Sequence, residues 1–106
     1  AVRNLATDAP RIILMHHPES FAELPAGTAP LAFAGHTHGG QVRVPFKPDW
    51  SGAIITGSEV RRDGWIDGYG EPGNRLYVNR GIGMSLAPIR LFCRPAVTFF
   101  TLRSDA

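Results

Sequence analysis

Two short apolar runs, RIILM at 11–15 and PLAFA at 30–34, each stop abruptly at histidine. The first runs into His16, His17 and Pro18, and the second into Gly35, His36, Thr37 and His38. Runs this short suit strands better than buried helices, and the β-branched content of the first points the same way. Between them, ESFAEL at 19–24 sets Phe21 and Leu24 three apart, enough for a short helix, and PAGTAP then forces a turn. Two buried strands separated by a helical segment predict a layered α/β core, in which sites lie beyond the carboxyl ends of strands. Both histidine groups occupy that position.

The rest of the chain predicts short elements joined by long loops. QVRVP alternates polar and apolar residues as a half-exposed strand does, with Val42 and Val44 on one face. FKPDWSG reads as a loop, AIITGSEV as a short strand with a glycine interruption, and RRDGWIDGYGEPGN as an extended turn-rich loop. RLYVN at 75–79 and VTFFTL at 97–102 predict strands, with RGIGMSLAPIR as the loop between them. Antiparallel pairing remains open for these later strands. The 12 glycines and 9 prolines fit many turns around few regular elements, while a hydrophobic content of 43% argues against generic disorder. A chain of 106 residues encloses one core with a modest stability margin.

Several function classes are disfavoured. Ten arginines and one lysine against nine carboxylates leave a formal charge of only +2, with Arg61-Arg62 the one adjacent basic pair, so specific nucleic-acid binding is not expected. The lone Cys93, in LFCRP, excludes an internal disulfide and a thiolate zinc cluster, and reads as a small buried apolar residue. No apolar stretch approaches the roughly 18–20 residues that span a bilayer. The first residues show neither an initiator Met nor a signal-peptide pattern, compatible with processing or truncation.

The histidines carry the chemistry. Neutral imidazole ligates zinc, iron, manganese and related ions, and His36 and His38, two apart and flanked by Gly35, Gly39 and Gly40, can turn both rings into one cleft. His16 and His17 leave the earlier strand in the same manner, so at least one of them can converge on the pair. Loop histidines making ordinary hydrogen bonds are the alternative.

IILMHHPESF, LAFAGHTHGGQVRVPF and LYVNRGIGMSLAPIRLFCRPAVTFFTL resemble the C-terminal part of calcineurin-like metallophosphoesterases, especially the bacterial branch of membrane-associated phosphohydrolases that act on phospholipids or lipid pyrophosphates. The resemblance implies the C-terminal portion of a two-sheet α/β sandwich, mainly short strands with one or two short helices and long loops. It implies two divalent metal ions, Mn, Fe or Zn, in the full-length parent. His16 would be a terminal ligand of the second metal, joined there by His36, and His38 would ligate the first. His17 stands where Asn is common and would support the ligands from the cleft.

The family's upstream motifs are absent from residues 1–106: there is no Asp-x-His, Gly-Asp-x-x-Asp or Gly-Asn-His, so the bridging carboxylate and other ligands are missing. Asp8, Asp49, Asp63 and Asp67 lack the family spacing and read as turn-capping or solvated groups. Residues 1–106 therefore read as a partial domain that needs the missing N-terminal half for catalysis, with no catalytic residue of its own; a degenerate stand-alone metal-binding or protein-interaction domain is the alternative. Arg80 suits a phosphate oxygen, with packing or a salt bridge as the competing role, and Asn79 would order the same loop or join that contact. Arg90 and Arg94 form a weak footprint for an anionic surface, and Trp50, Trp65 and Tyr69, with Phe46 and Ile66, either rim a site for an acyl or aryl group or anchor their loops. The expected substrate is a phosphoester or lipid pyrophosphate. The expected setting is cytoplasmic or at the membrane periphery, with membrane contact through the parent protein.

Overall fold

Side-by-side pairing of the two apolar runs organises the molecule. A computed structural model describes residues 10–52, 57–60 and 62–104. Its strands are β1 (Ile13–Leu14), β2 (Ala32–Ala34), β3 (Arg43–Val44), β4 (Lys47–Ser51), β5 (Gly64–Ile66) and β6 (Leu76–Val78). Strands β1, β2 and β6 run parallel, β5 pairs antiparallel with β6, and the order across the sheet is β1-β2-β6-β5. Strands β3 and β4 form a separate antiparallel ribbon. Among the described residues, 3-10 turns occur at Pro18–Glu23 and His38–Gly40. This is the mixed α/β arrangement with two sheets, few short helices and long loops that the sequence predicts.

Alternation along the strands gives the four-stranded sheet two different faces. Ala32, Ala34, Leu76 and Val78 are buried on one of them, in a cluster completed by Phe21, Ala29 and Val60. The short helix expected at 19–24 is the 3-10 turn Pro18–Glu23, where Pro18 supplies a pre-set φ at the first position and Phe21 is fully buried. Phe33 and Tyr77 belong to the other face, where they meet Trp65 and Phe100: ring centroids are 4.6 Å apart for Phe33 and Phe100, 4.9 Å for Tyr77 and Phe100, and 5.2 Å for Trp65 and Tyr77.

Three expectations need correction. VTFFTL forms no strand; it lies along the aromatic face through Phe100 and through Thr98, whose hydroxyl is 2.9 Å from the Tyr77 hydroxyl. Its alternation is real, but side-chain packing replaces the ladder. FKPDWSG, expected as a loop, contains β4: the turn at Pro45-Phe46 reverses the chain, and a two-stranded ribbon leaves enough backbone unpaired to tolerate Pro48. The glycine-rich stretch from 61 to 74 contains β5, which β6 stabilises by antiparallel pairing despite poor local propensity. Within AIITGSEV, residues 53–56 lie outside the described residues, as do Asp8 and Arg61, and 57–60 form no strand. Among the described residues no helix is long and apolar enough to cross a membrane.

Phe21 ties the 3-10 turn to both Ala-lined β2 and the loop carrying Tyr69, whose ring centroid is 6.2 Å away. Phe21→Ala is expected to lower the unfolding free energy by about 3–5 kcal/mol, the usual cost of removing a buried aromatic ring. Urea denaturation of the two chains checks it, and a loss under about 1 kcal/mol would mean that Phe21 is not a core anchor.

Candidate metal centre

Parallel pairing places the carboxyl ends of β1 and β2 next to each other. The Gly35 N–H donates to the His16 carbonyl at 3.3 Å, so the ladder extends one step into the histidine loops. His36 Nδ1 then lies 3.1 Å from His16 Nε2, and ring nitrogens of His16, His17 and His36 all fall within 4.8 Å of one another. Metal–nitrogen bonds of 2.0–2.1 Å in a tetrahedral site put ligand nitrogens roughly 3.3 Å apart. One pair already has nearly that spacing, and all three rings are exposed to incoming ions. This three-imidazole cluster is suited to a divalent transition ion.

The loop after β2 is held in an uncommon shape. His36, His38 and Gln41 have φ of 67°, 52° and 59°, in the left-handed region that most side chains avoid. Gly39 and Gly40 share that region, and neither has room for a side chain: a Cβ on Gly39 would come 2.8 Å from Arg80 Cβ and 2.9 Å from Cys93 Sγ, and one on Gly40 would collide with Ser51. From beneath, Arg43 Nε donates to the Gly39 carbonyl at 2.5 Å, and Cys93 Sγ donates to the His38 carbonyl at 3.3 Å. Arg90 adds bonds to the carbonyls of His38 at 3.4 Å and Arg80 at 2.6 Å. Backbone strain is thus balanced by satisfied carbonyls.

The expected ligands separate into two environments. His16 and His36 come together, and His17, expected chiefly as a cleft residue beside them, contributes a ring nitrogen to the same group. His38 stands outside that group; its Nδ1 is buried without a hydrogen-bond partner, an orphaned acceptor or donor of the kind a ligand position leaves. Arg80 forms an ion pair with Asp63 at 3.3 Å, and Asp63 also pairs with Arg43, so Asp63 is a bridge between two arginines and not the turn-capping or solvated group expected. Asn79 accepts from the Gly81 N–H at 2.6 Å and donates to Thr98 at 3.0 Å. Arg90 spends its guanidinium on backbone carbonyls, whereas Arg94 is exposed.

A cleft of about 730 Å³ opens beside the cluster, with His17, His36 and His38 among its lining residues. Trp50, Trp65 and Tyr69 are not among them; Tyr69 packs on Phe21, Trp65 on Tyr77, and Trp50 receives the Lys47 ammonium 4.5 Å from its ring. Sequence reasoning missed Glu19, a carboxylate on the cleft wall two residues after His17. Burial pushes its pKa up, but a hydrogen bond from the Ser58 hydroxyl, backbone donors at Glu19 and Val60, and the charge of His17 outweigh burial and hold it below the ordinary value. Its place in HHPES, on the turn that leaves β1, was the available signal.

The chain is similar in sequence to several curated proteins. A metallophosphoesterase of Bacillus subtilis, YkuE, is 38% identical over 95 residues, covering 88% of this chain and 31% of the relative. The phosphodiesterase YaeI of Escherichia coli is 37% identical over 93 residues, 88% of this chain and 32% of the relative. The UDP-2,3-diacylglucosamine pyrophosphatase LpxG of Chlamydia trachomatis is 34% identical over 92 residues, 81% of this chain and 26% of the relative. The chain thus spans about a third or less of the length of the curated relatives it matches. No family model and no solved structure matches it.

Desolvation among the crowded rings, and then the neighbouring His17 and His16 imidazoles, hold His36 below the ordinary value of 6.5, against an opposing pull from Glu19. A depressed histidine favours the neutral, ligating form in the folded chain. Its linked stability is therefore lost as pH falls below 6.5, where the unfolded chain takes up the proton first. In metal-free protein, His36 is expected to titrate below 6.5 and His17→Ala to raise its midpoint, both read by NMR pH titration. A midpoint unmoved by the substitution would show that the two rings do not interact.

Proposed function

Because this chain forms part of a calcineurin-like metallophosphoesterase superfamily domain, we propose that it supplies one side of the metal centre of a phosphoester hydrolase. The observation that carries this reading is the convergence of His16, His17 and His36 at the ends of two paired parallel strands. In this proposal His16 and His36 hold one divalent ion, with His17 beside them, and His38 serves a neighbouring second ion. Ions of this kind, Mn, Fe or Zn, supply Lewis-acid charge to phosphoryl oxygens.

The chain's own groups have defined tasks. Crowding holds the His36 imidazole below its ordinary value, which favours the neutral form whose ring lone pair can ligate. Arg80 directs charge-assisted hydrogen bonds to a phosphoryl oxygen while sharing Asp63, and Asn79 holds the Arg80 loop in place. The carboxylates of the complete centre come from the part of the domain that this segment lacks relative to its longer relatives. Exposed apolar surface supports that division: Leu14 on the sheet-edge strand β1 is 79% exposed and Phe99 is 93% exposed, the kind of surface a further layer covers. Substrates proposed from the relatives are a phosphodiester or a lipid pyrophosphate, with membrane contact through the parent protein.

Full-length protein with Mn²⁺ is expected to hydrolyse bis(4-nitrophenyl) phosphate, and His36→Ala to lower kcat/KM by at least about a hundredfold. Residues 1–106 alone should be inactive. Metal-dependent turnover by the isolated 106 residues, abolished by His36→Ala, would contradict the shared-centre proposal. An inactive full-length protein that still binds metal would favour a degenerate metal-binding domain.

A further inference from the structure

The last residue of GHTHGGQ has a role that metal chemistry leaves unexplained. Gln41 spends its side-chain amide on one distant backbone segment. Its Nε2 donates to the carbonyls of Ser85 at 2.9 Å and Ala87 at 3.0 Å, and its Oε1 accepts from the Ser85 N–H at 2.7 Å. These bonds bracket Leu86, whose φ of 67° is costly for a leucine. The Gln41 backbone is fixed as well, since its carbonyl accepts from the Leu91 N–H at 3.0 Å, and the Leu91 carbonyl accepts from the Arg43 N–H at 2.9 Å. The Gln41 amide thereby ties the histidine loop to the 85–87 segment and braces a turn that the Ala87 N–H closes locally on the Ser85 carbonyl at 2.8 Å.

The strain has a visible product. Leu86, Ala87 and Ile89, with Val42, line the same cleft as His36 and His38. Leu86 is fully exposed and Ile89 is 48% exposed, so apolar surface is displayed toward solvent next to a polar ion-binding group. Burial of such surface by a ligand is favourable in proportion to its area. A phosphate ester has both halves required, an anionic head for the histidine end and a substituent for the wall.

We propose that Gln41 is a positioning residue that fixes the 85–87 segment as an apolar wall, so that the cleft selects phosphate esters whose substituent is alkyl or aryl over those whose substituent is polar. This proposal rests on the phosphoester reading of the histidine site. Selectivity is expected at the substituent of the phosphate ester.

The test measures binding, without turnover, of octyl phosphate, phenyl phosphate and glycerol phosphate to full-length protein with Mn²⁺ by calorimetry. Octyl or phenyl phosphate is expected to bind about tenfold more tightly than glycerol phosphate. Octyl preference alone points to an alkyl chain as the natural substituent, phenyl preference alone to an aryl group, and either supports the wall. Gln41→Ala should bring the three affinities to within about twofold of each other, and so should Gln41→Glu, which places acceptors against the Ser85 and Ala87 carbonyls. Leu86→Asn removes apolar surface while suiting a positive φ, so it should fold normally and show the same loss of preference. A merely structural role for Gln41 would weaken all three ligands alike and keep their ratios, which overturns the proposal. Equal affinities in the parent protein overturn it too, while leaving the phosphoester reading standing; no binding of any of the three removes both.

Discussion

Everything at the candidate centre depends on the parallel register between β1 and β2. Ile13 opposite Ala32 and Leu14 opposite Phe33 put the histidine-bearing ends of both strands at the same height. A slip of one residue would shift the loops by about 3.3 Å and turn the strand's side chains to the other face. His16 and His36 could not then approach to 3.1 Å, and Ala32 and Ala34 would leave the core side where Phe21 packs. Core packing and ion binding therefore demand the same register. The small Ala residues of β2 serve the first requirement, and the histidines that follow serve the second.

The register delivers the histidines, but a second layer of polar contacts shapes the loop they stand on. Arg43, Arg90 and Cys93 satisfy carbonyls of His38 and Gly39 from below, and Asp63 joins Arg43 to Arg80. Half-buried guanidinium groups on backbone carbonyls hold geometry more rigidly than apolar contacts, because leaving a carbonyl unpaired costs more than the bond itself gains. Three non-glycine residues, His36, His38 and Gln41, remain at positive φ as a result. Ring orientation at the cleft is set by this underside as much as by the strands.

Local patterns exposed the elements that depend on local causes. RIILM and PLAFA announce strands because they are short, apolar and sharply bounded, and Pro18 with Phe21 announces the turn between them. β5 was hidden, since Gly64 and its glycine-rich surroundings resemble a loop and only pairing with β6 makes a strand. VTFFTL carried a true alternation with the wrong consequence: nothing in the sequence distinguishes a segment that hydrogen-bonds at a sheet edge from one that lays Phe100 across its face. Trp65 and Tyr69, whose aromatic character suits a site's rim as well as a loop anchor, pack on Tyr77 and Phe21. At the site, spacing marked the histidines, whereas Gln41, Arg90 and Cys93 act through bonds to residues that are far away in the chain or on the backbone, which no motif displays. Glu19 stands two residues after His17, but its place on the cleft wall depends on the fold of the turn and on Ser58, which is far away in the chain.

The convergence of two strand ends on one ion is the central claim, and Zn²⁺ titration of ¹⁵N-histidine-labelled protein by NMR tests it directly. The imidazole resonances of His16 and His36 should move together with the same midpoint, and His16→Ala should abolish or strongly weaken the response of His36. A His36 response that survives His16→Ala unchanged, or imidazoles that ignore the ion altogether, would contradict the account.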